Sequence, residues 1–148
     1  MKNITVRDLI SKRELQTVYP EDNLQIVNQI MFENKIRHLP VIDREDGSLV
    51  GVISHRDLVR HGLFATDELP AYAEDDLLTK TKVHFVMIHD VETIDIDTDI
   101  QDAATILLEN KFGCLPVMED AQLTGILTEA DFVRFVLQQA PEMTAKSA

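Results

Sequence analysis

The chain has 148 residues, of which 45% are hydrophobic and 27% are charged, a composition typical of a globular protein. It contains no apolar run near the ~20 residues of a membrane helix and no secretory signal pattern, so we expect neither a membrane span nor export. The single cysteine excludes an internal disulfide framework and favours a cytoplasmic location, and the net charge of −12 argues against binding to nucleic acid.

The first half of the chain predicts a short element followed by the order β-α-β-β-α. Apolar residues at helical spacing indicate the first helix, and Asp46-Gly47 between two apolar runs is a strong hairpin signal. Ser54 can cap the helix that follows the hairpin, and Asp57 suits the positive end of its dipole. The predicted bounds are Val6–Ile10 for the short element, Leu24–Lys35 for the helix, and Leu39–Ile42 and Leu49–Ile53 for the hairpin strands.

The second half predicts the same order. Its short element is Val83–Met87, and a helix with apolar residues from Ile100 to Leu108 follows. The two hairpin strands are Leu115–Met118 and Leu123–Leu127, and Thr128 and Asp131 open a final helix to about Gln139. Between the halves lies an acidic linker with a possible short helix around Ala71–Leu78.

The two halves are copies of one another. Thr17–Asp43 aligns without a gap over Thr93–Glu119, with nine of 27 positions identical, and Leu49–Arg60 aligns over Leu123–Arg134, with five of 12 identical. We therefore expect an α+β fold in which two β-α-β-β-α repeats pack about a pseudo-two-fold axis into one module. The predicted divisions are 1–63 for the first repeat, 64–82 for the acidic linker, 83–140 for the second repeat and 141–148 for a flexible tail.

Two strings, I-R-H-L-P-V-I-D at Ile36–Asp43 and G-V-I-S-H-R-D at Gly51–Asp57, resemble the CBS domain, which is named after cystathionine β-synthase. With their second copies they resemble a tandem pair, often called a Bateman module, from about Val6 to Val136. The resemblance implies a non-catalytic protein that binds adenosine-containing ligands, such as AMP, ADP, ATP, S-adenosylmethionine or NAD, in clefts between the two repeats. It also implies regulation of a partner protein and a flat, two-fold homodimer.

The pairs Ser54/Asp57 and Thr128/Asp131 are the first candidate site residues. Helix capping alone accounts for both pairs, because a hydroxyl there accepts from a first-turn N–H and an acid suits the dipole. The resemblance implies a second role, in which the acid contacts ribose and the hydroxyl contacts phosphate. The two interpretations are compatible.

Arg37 and His38 are candidates for holding phosphates, again by the resemblance, and Arg56 belongs to the same cluster of Arg and His residues. The alternative is a solvated helix end, where cations suit the negative end of the dipole. The second repeat has Gly113 and Cys114 at the positions of Arg37 and His38. We therefore expect unequal sites, of which only the first is suited to phosphate.

The remaining candidates divide into apolar and polar residues. The apolar ones are core residues first, and some can also wall an adenine slot: Val18, Leu39, Pro40, Ile94, Leu115 and Pro116. Thr17 and Thr93 can hydrogen-bond to base or ribose, or can serve the turn before a strand. Cys114 is interpreted as a small residue where a strand begins, and His84, His89 and Asp90 do not have the spacing of metal ligands.

We expect a regulatory module that senses AMP, ADP or ATP and signals to a partner protein whose identity the sequence does not reveal. The alternative is a structural or interaction module whose clefts have lost their ligand, which the second repeat favours. No residue set indicates an enzyme, a catalytic cofactor or a metal. A homodimer is expected because the helices keep apolar positions after one face covers the sheet.

Overall fold

The structure, a computed structural model, describes residues 3–10, 14–61 and 77–147, and the side chains within this set up to residue 139. The chain forms two compact units. We call Gln16–Val91 the first-repeat unit, and Met1–Leu15 together with Glu92–Ala148 the second-repeat unit. The elements in chain order are α1 (Val6–Leu9), α2 (Leu24–Asn34), β1 (His38–Ile42), β2 (Leu49–Ser54), α3 (His55–Arg60), a 3-10 helix (Val83–Phe85), β3 (Ile94–Asp95), α4 (Ile100–Glu109), β4 (Cys114–Glu119), β5 (Gln122–Thr128) and α5 (Glu129–Ser147).

The first-repeat unit is built on the predicted hairpin. Strands β1 and β2 are antiparallel, with Leu39 opposite Ile53, and Val18 forms a parallel bridge to Val41 on the other edge of β1. Helix α2 is capped by Asn23, whose side chain accepts from the backbone N–H of Ile26. The apolar face of this helix covers the sheet. The core residues are Val18, Leu24, Val27, Met31, Leu39, Val41, Ile53, Leu58, Leu78, Val83, Val86 and Met87.

The second-repeat unit has the same order around a three-stranded sheet. Strand β3 is parallel to β4, and β4 is antiparallel to β5 with Leu115 opposite Leu127. The α+β fold with two repeats is therefore confirmed. Helix α5 runs to Ser147, past the predicted end at Gln139 and through most of the predicted tail. The helix continues after Pro141 because several of the following residues are good helix formers, namely Glu142, Met143, Ala145 and Lys146.

The two short elements pack with the repeat that they do not precede. Helix α1 belongs to the second-repeat unit, where the N–H groups of Val6 and Arg7 donate to the carbonyls of Thr98 and Ile96 at 3.0 and 2.9 Å. The 3-10 helix belongs to the first-repeat unit, where the N–H of Val83 donates to the carbonyl of Asp22 at 2.8 Å. The predicted boundaries at residues 63 and 83 place each short element with the repeat that follows it in sequence. Each compact unit instead contains the short element that precedes the other repeat.

The guanidinium of Arg7 attaches α1 to the second-repeat unit. It donates to Glu119 at 2.7 Å and to Asp97 at 3.2 Å, and these bonds raise its pKa above the usual value. In the first-repeat unit, Arg44 lies 4.0 Å over the ring of Tyr19. Both arginines therefore serve to hold their own units together.

The turns of the two hairpins differ. The first turn ends at Gly47, which has a φ of +73°, and Asp46 accepts from the N–H and hydroxyl of Ser48, which lowers the pKa of this carboxyl. The second turn is the pair Asp120-Ala121, with φ of +50° and +65°.

Most of the predicted linker helix at Ala71–Leu78 lies outside the described residues, and 77–80 are helical.

Candidate functional site

Ser54 and Asp57 form a reciprocal cap at the start of α3. The hydroxyl of Ser54 accepts from the N–H of Asp57 at 3.2 Å, and Oδ2 of Asp57 accepts from the N–H and the hydroxyl of Ser54, both at 2.8 Å. The capping interpretation is thus confirmed for the first repeat. Asp57 is 5% exposed, and within 3–10, 14–61 and 77–147 no donor reaches its other oxygen, Oδ1.

Thr128 and Asp131 repeat the carboxylate half of this cap at the start of α5, with one addition. Oδ2 of Asp131 accepts from the N–H of Thr128 at 2.8 Å and from its hydroxyl at 3.4 Å. Oδ1 accepts from Nη2 of Arg134, three residues further along the helix. Asp131 is 3% exposed, so this ion pair occupies the outer oxygen of a nearly buried carboxylate.

The arginine at the matching position of the first repeat, Arg60, makes no hydrogen bond or ion pair with Asp57 among the residues that the structure describes. Both arginines lie three residues after their acid within a helix, since α3 spans His55–Arg60 and α5 spans Glu129–Ser147. The same spacing therefore forms an ion pair in the second repeat and none in the first within the described residues.

The basic residues of the first repeat meet at the end of the hairpin where α3 begins. The carbonyl of Arg37 accepts from the N–H of His55 at 2.8 Å, and His38 is opposite Ser54 in the sheet. Arg37 and Arg56 are exposed. The structure therefore brings Arg37, His38 and Arg56 to the same end of the unit as the carboxylate of Asp57.

The second repeat lacks these cations. The residues aligned with Arg37, His38, His55 and Arg56 are Gly113, Cys114, Glu129 and Ala130. The difference in charge between the repeats, predicted from Arg37 and His38, thus extends to His55 and Arg56. Arg134 of the second repeat is paired with Asp131.

The apolar candidates lie in the cores of their units. Val18 and Leu39 belong to the first core, and Ile94 and Leu115 belong to the second. Pro40 and Pro116 are buried in β1 and β4. These residues position the site, and packing accounts for them without a ligand.

The polar candidates at the first strands differ in exposure. Thr17 and Thr93 each lie one residue before the parallel pairing with the hairpin, where Val18 pairs with Val41 and Ile94 with Val117. Thr17 is half-buried and Thr93 is exposed. A role of either hydroxyl in ligand binding stays a prediction.

Cys114 and the histidines show no catalytic arrangement. Cys114 is a buried cysteine at the first residue of β4, as predicted for a small residue at that place. The rings of His84 and His89 lie 5.5 Å apart. Across the described part of the chain, no three His, Cys, Asp or Glu side chains are grouped to hold a metal, and no helix is long and apolar enough to cross a membrane.

Comparison with known proteins gives relatives along most of the chain. The chain is 33% identical to the chloroplastic CBS domain-containing protein CBSX1 of Arabidopsis thaliana, over 90% of its own length and 64% of that protein. The inosine-5'-monophosphate dehydrogenase of Thermoplasma acidophilum is 28% identical, and the match spans 24% of that enzyme. The chain thus corresponds to a part of these longer proteins.

A solved structure matches both fold and sequence. The crystal structure of CBSX2 of Arabidopsis thaliana in complex with AMP superposes with a TM-score of 0.71 and is 34% identical, covering 90% of this chain and 96% of that one. The family model of the CBS domain matches twice, at residues 6–63 and 83–138. Both matches fall on the internal repeat, and the chain belongs to the CBS-domain family as a tandem pair.

Proposed function

We propose that the chain is a regulatory module that binds an adenosine nucleotide of the AMP, ADP or ATP class and signals its presence to a partner protein. The observation that carries the proposal is the carboxylate of Asp57. It is held at a fixed place by two hydrogen bonds from Ser54 to Oδ2, while no other described residue donates to Oδ1. A ribose offers two neighbouring hydroxyl donors, which this oxygen can accept.

The surrounding residues supply the other contacts that a nucleotide needs. Arg37 and Arg56 place guanidinium groups, which bind phosphate well, at the same end of the unit as Asp57. The AMP complex of CBSX2, at 34% identity, supports the same ligand class. His38 lies beside Ser54 and adds a histidine whose charge can respond to pH.

Calorimetric titration of the full chain with adenosine and with free adenine tests the role of Asp57. Asp57→Asn is expected to lower the affinity for adenosine by about one to two decades, because a hydrogen bond to a charged group contributes roughly 1.5–3 kcal/mol. The affinity for free adenine, which has no ribose, should change little. Asp46→Asn, which removes an exposed carboxylate from the first hairpin turn, is the control. Equal losses for adenosine and adenine would reduce Asp57 to a capping residue.

Absence of binding by the unaltered chain to adenosine, AMP, ADP and ATP would instead favour a structural or interaction module. The second repeat supports this alternative, because its acid is already paired with Arg134 and its phosphate-binding cations are replaced. The cytoplasmic location and the regulated partner stay predictions.

A homodimer is part of this proposal. Helices α3 and α5 keep apolar side chains in solvent at matching positions, Val59 at 54% and Val133 at 60% exposure, and Leu137 adds to the patch on α5. A self-complementary patch on a second copy would cover them. Light scattering should therefore give about twice the chain mass of 16.8 kDa, and the monomer mass would contradict the proposal.

A further inference from the structure

We propose that Arg134 acts as a built-in competitor for ligand at Asp131, so that the second repeat binds an adenosine ligand only when this ion pair opens. The inference rests on the proposed function, since it concerns the same class of ligand. It assigns a specificity-determining role to a residue outside the family strings that the sequence comparison used.

The number of acceptor sites on each carboxylate supports the competition. A carboxylate has about four acceptor sites, two on each oxygen. At Asp57 the donors of Ser54 occupy Oδ2, and no donor among the described residues takes either site of Oδ1. At Asp131 the donors of Thr128 take Oδ2, and Arg134 takes one site of Oδ1. Two ribose hydroxyls can therefore donate to two acceptor sites on Oδ1 in the first repeat but to only one in the second.

The strength of the bond makes the competition unequal. The bond from Arg134 is charge-assisted on both sides, and such bonds are roughly twice as strong as neutral ones. The Asp131 carboxylate is 3% exposed and the Arg134 side chain is 45% exposed, so the pair is shielded from water on the carboxylate side. A neutral ribose hydroxyl therefore gains less at Asp131 than the guanidinium loses.

The neighbourhood offers the ligand no compensation. Around Asp131 the aligned positions carry Gly113, Cys114, Glu129 and Ala130, none of which is a cation. A phosphate group could recruit Arg134 itself, but only by removing it from Asp131. Adenosine, which has no phosphate, is therefore the probe that isolates the competition for ribose.

The test uses the full chain with the first site disabled. In an Asp57→Asn background, adenosine binding is compared before and after Arg134→Gln by calorimetry. Release of Oδ1 should raise the affinity by about tenfold, the low end of what a hydrogen bond to a charged group contributes. Arg60→Gln in the same background removes the matching arginine of the first repeat, which touches no acid in the described segments, and should change nothing.

Each outcome decides one question. Unchanged or weaker adenosine binding by Arg134→Gln, in a protein with the circular dichroism of the parent, overturns the competition. If Arg134→Gln does not fold, the side-chain NMR signal of Arg134 in the Asp57→Asn chain decides instead, since ligand at the second repeat must shift it, and a constant signal at saturating adenosine overturns the inference. Absence of adenosine binding in the unaltered chain and in every variant overturns the proposed function as well.

Discussion

The two repeats share an acid at the start of a helix but differ in what surrounds it. Asp57 and Asp131 both accept from the backbone N–H of the hydroxyl residue three positions earlier, at 2.8 Å in each case. Arg37 and Arg56 lie near the first acid, whereas Arg134 is bonded to the second. The local motif therefore determines where the carboxylate lies, and the ion pair with Arg134 distinguishes the second acid from the first.

The largest effects are expected in the cores, where the repeats should be equal. Leu39 and Leu115 are aligned, fully buried residues of β1 and β4. Replacing either by alanine should lower the free energy of unfolding by about 2–5 kcal/mol, because a cavity is left. Urea denaturation measures the loss. Phe32→Ala and Leu108→Ala, at side chains 84% and 85% exposed, are controls with small effects. A large loss for only one of the two leucines would break the equivalence.

The next effect concerns the cations, where the repeats should be unequal. Arg37→Gln should weaken AMP by about one to two decades and leave adenosine unchanged, because the lost bond is to phosphate. Lys111→Gln removes a charge beside the second hairpin and should leave both ligands unaffected. Calorimetry with the two ligands decides. If Arg37→Gln binds AMP like the parent, the cluster is only a solvated surface. Gly113→Arg is unsuitable as the converse test, because Gly113 has a φ of +76°.

The smallest effect lies in the hairpin turns. Gly47→Ala should destabilise by about 1–2 kcal/mol, because a side chain is strained at φ of +73° although no atom lies within 4 Å of the new Cβ. Ala121→Gly should stabilise by about 0.5–1 kcal/mol, since relief of the same strain exceeds the added freedom of the unfolded chain. Thermal unfolding measures both. Opposite signs are expected, and equal signs would show that backbone strain does not distinguish the turns.

Sequence patterns were sufficient for the repeat and most of its elements. The spacing of apolar residues predicts α2 within one residue of its observed end at Asn34. The hairpin strands and the cap by Ser54 follow from local signals as well. Such features depend on residues close together in the chain, and for this reason periodicity and turn chemistry reveal them.

Features that depend on distant residues were not predictable in this way. The packing of α1 with the second-repeat unit rests on contacts such as Arg7 to Glu119. The pair Asp131/Arg134 has the same spacing as Asp57/Arg60, so spacing alone cannot indicate which pair closes. The extension of α5 beyond Pro141 was not predictable either, because a proline in that place predicts an interruption of the helix.

Because α1 packs with the second-repeat unit, it cannot reach its native contacts until that unit has been synthesised. Arg7 leaves the ribosome 112 residues before its partner Glu119, which at about 5–20 residues per second corresponds to a delay of about 5–20 s. Val6 and Leu9 have no native core to enter during that interval. The first-repeat unit is one continuous segment from Gln16 to Val91 and can fold while the rest is being translated. The second-repeat unit, which needs α1 together with the segment from Glu92 onward, can therefore form only after the first-repeat unit has been synthesised.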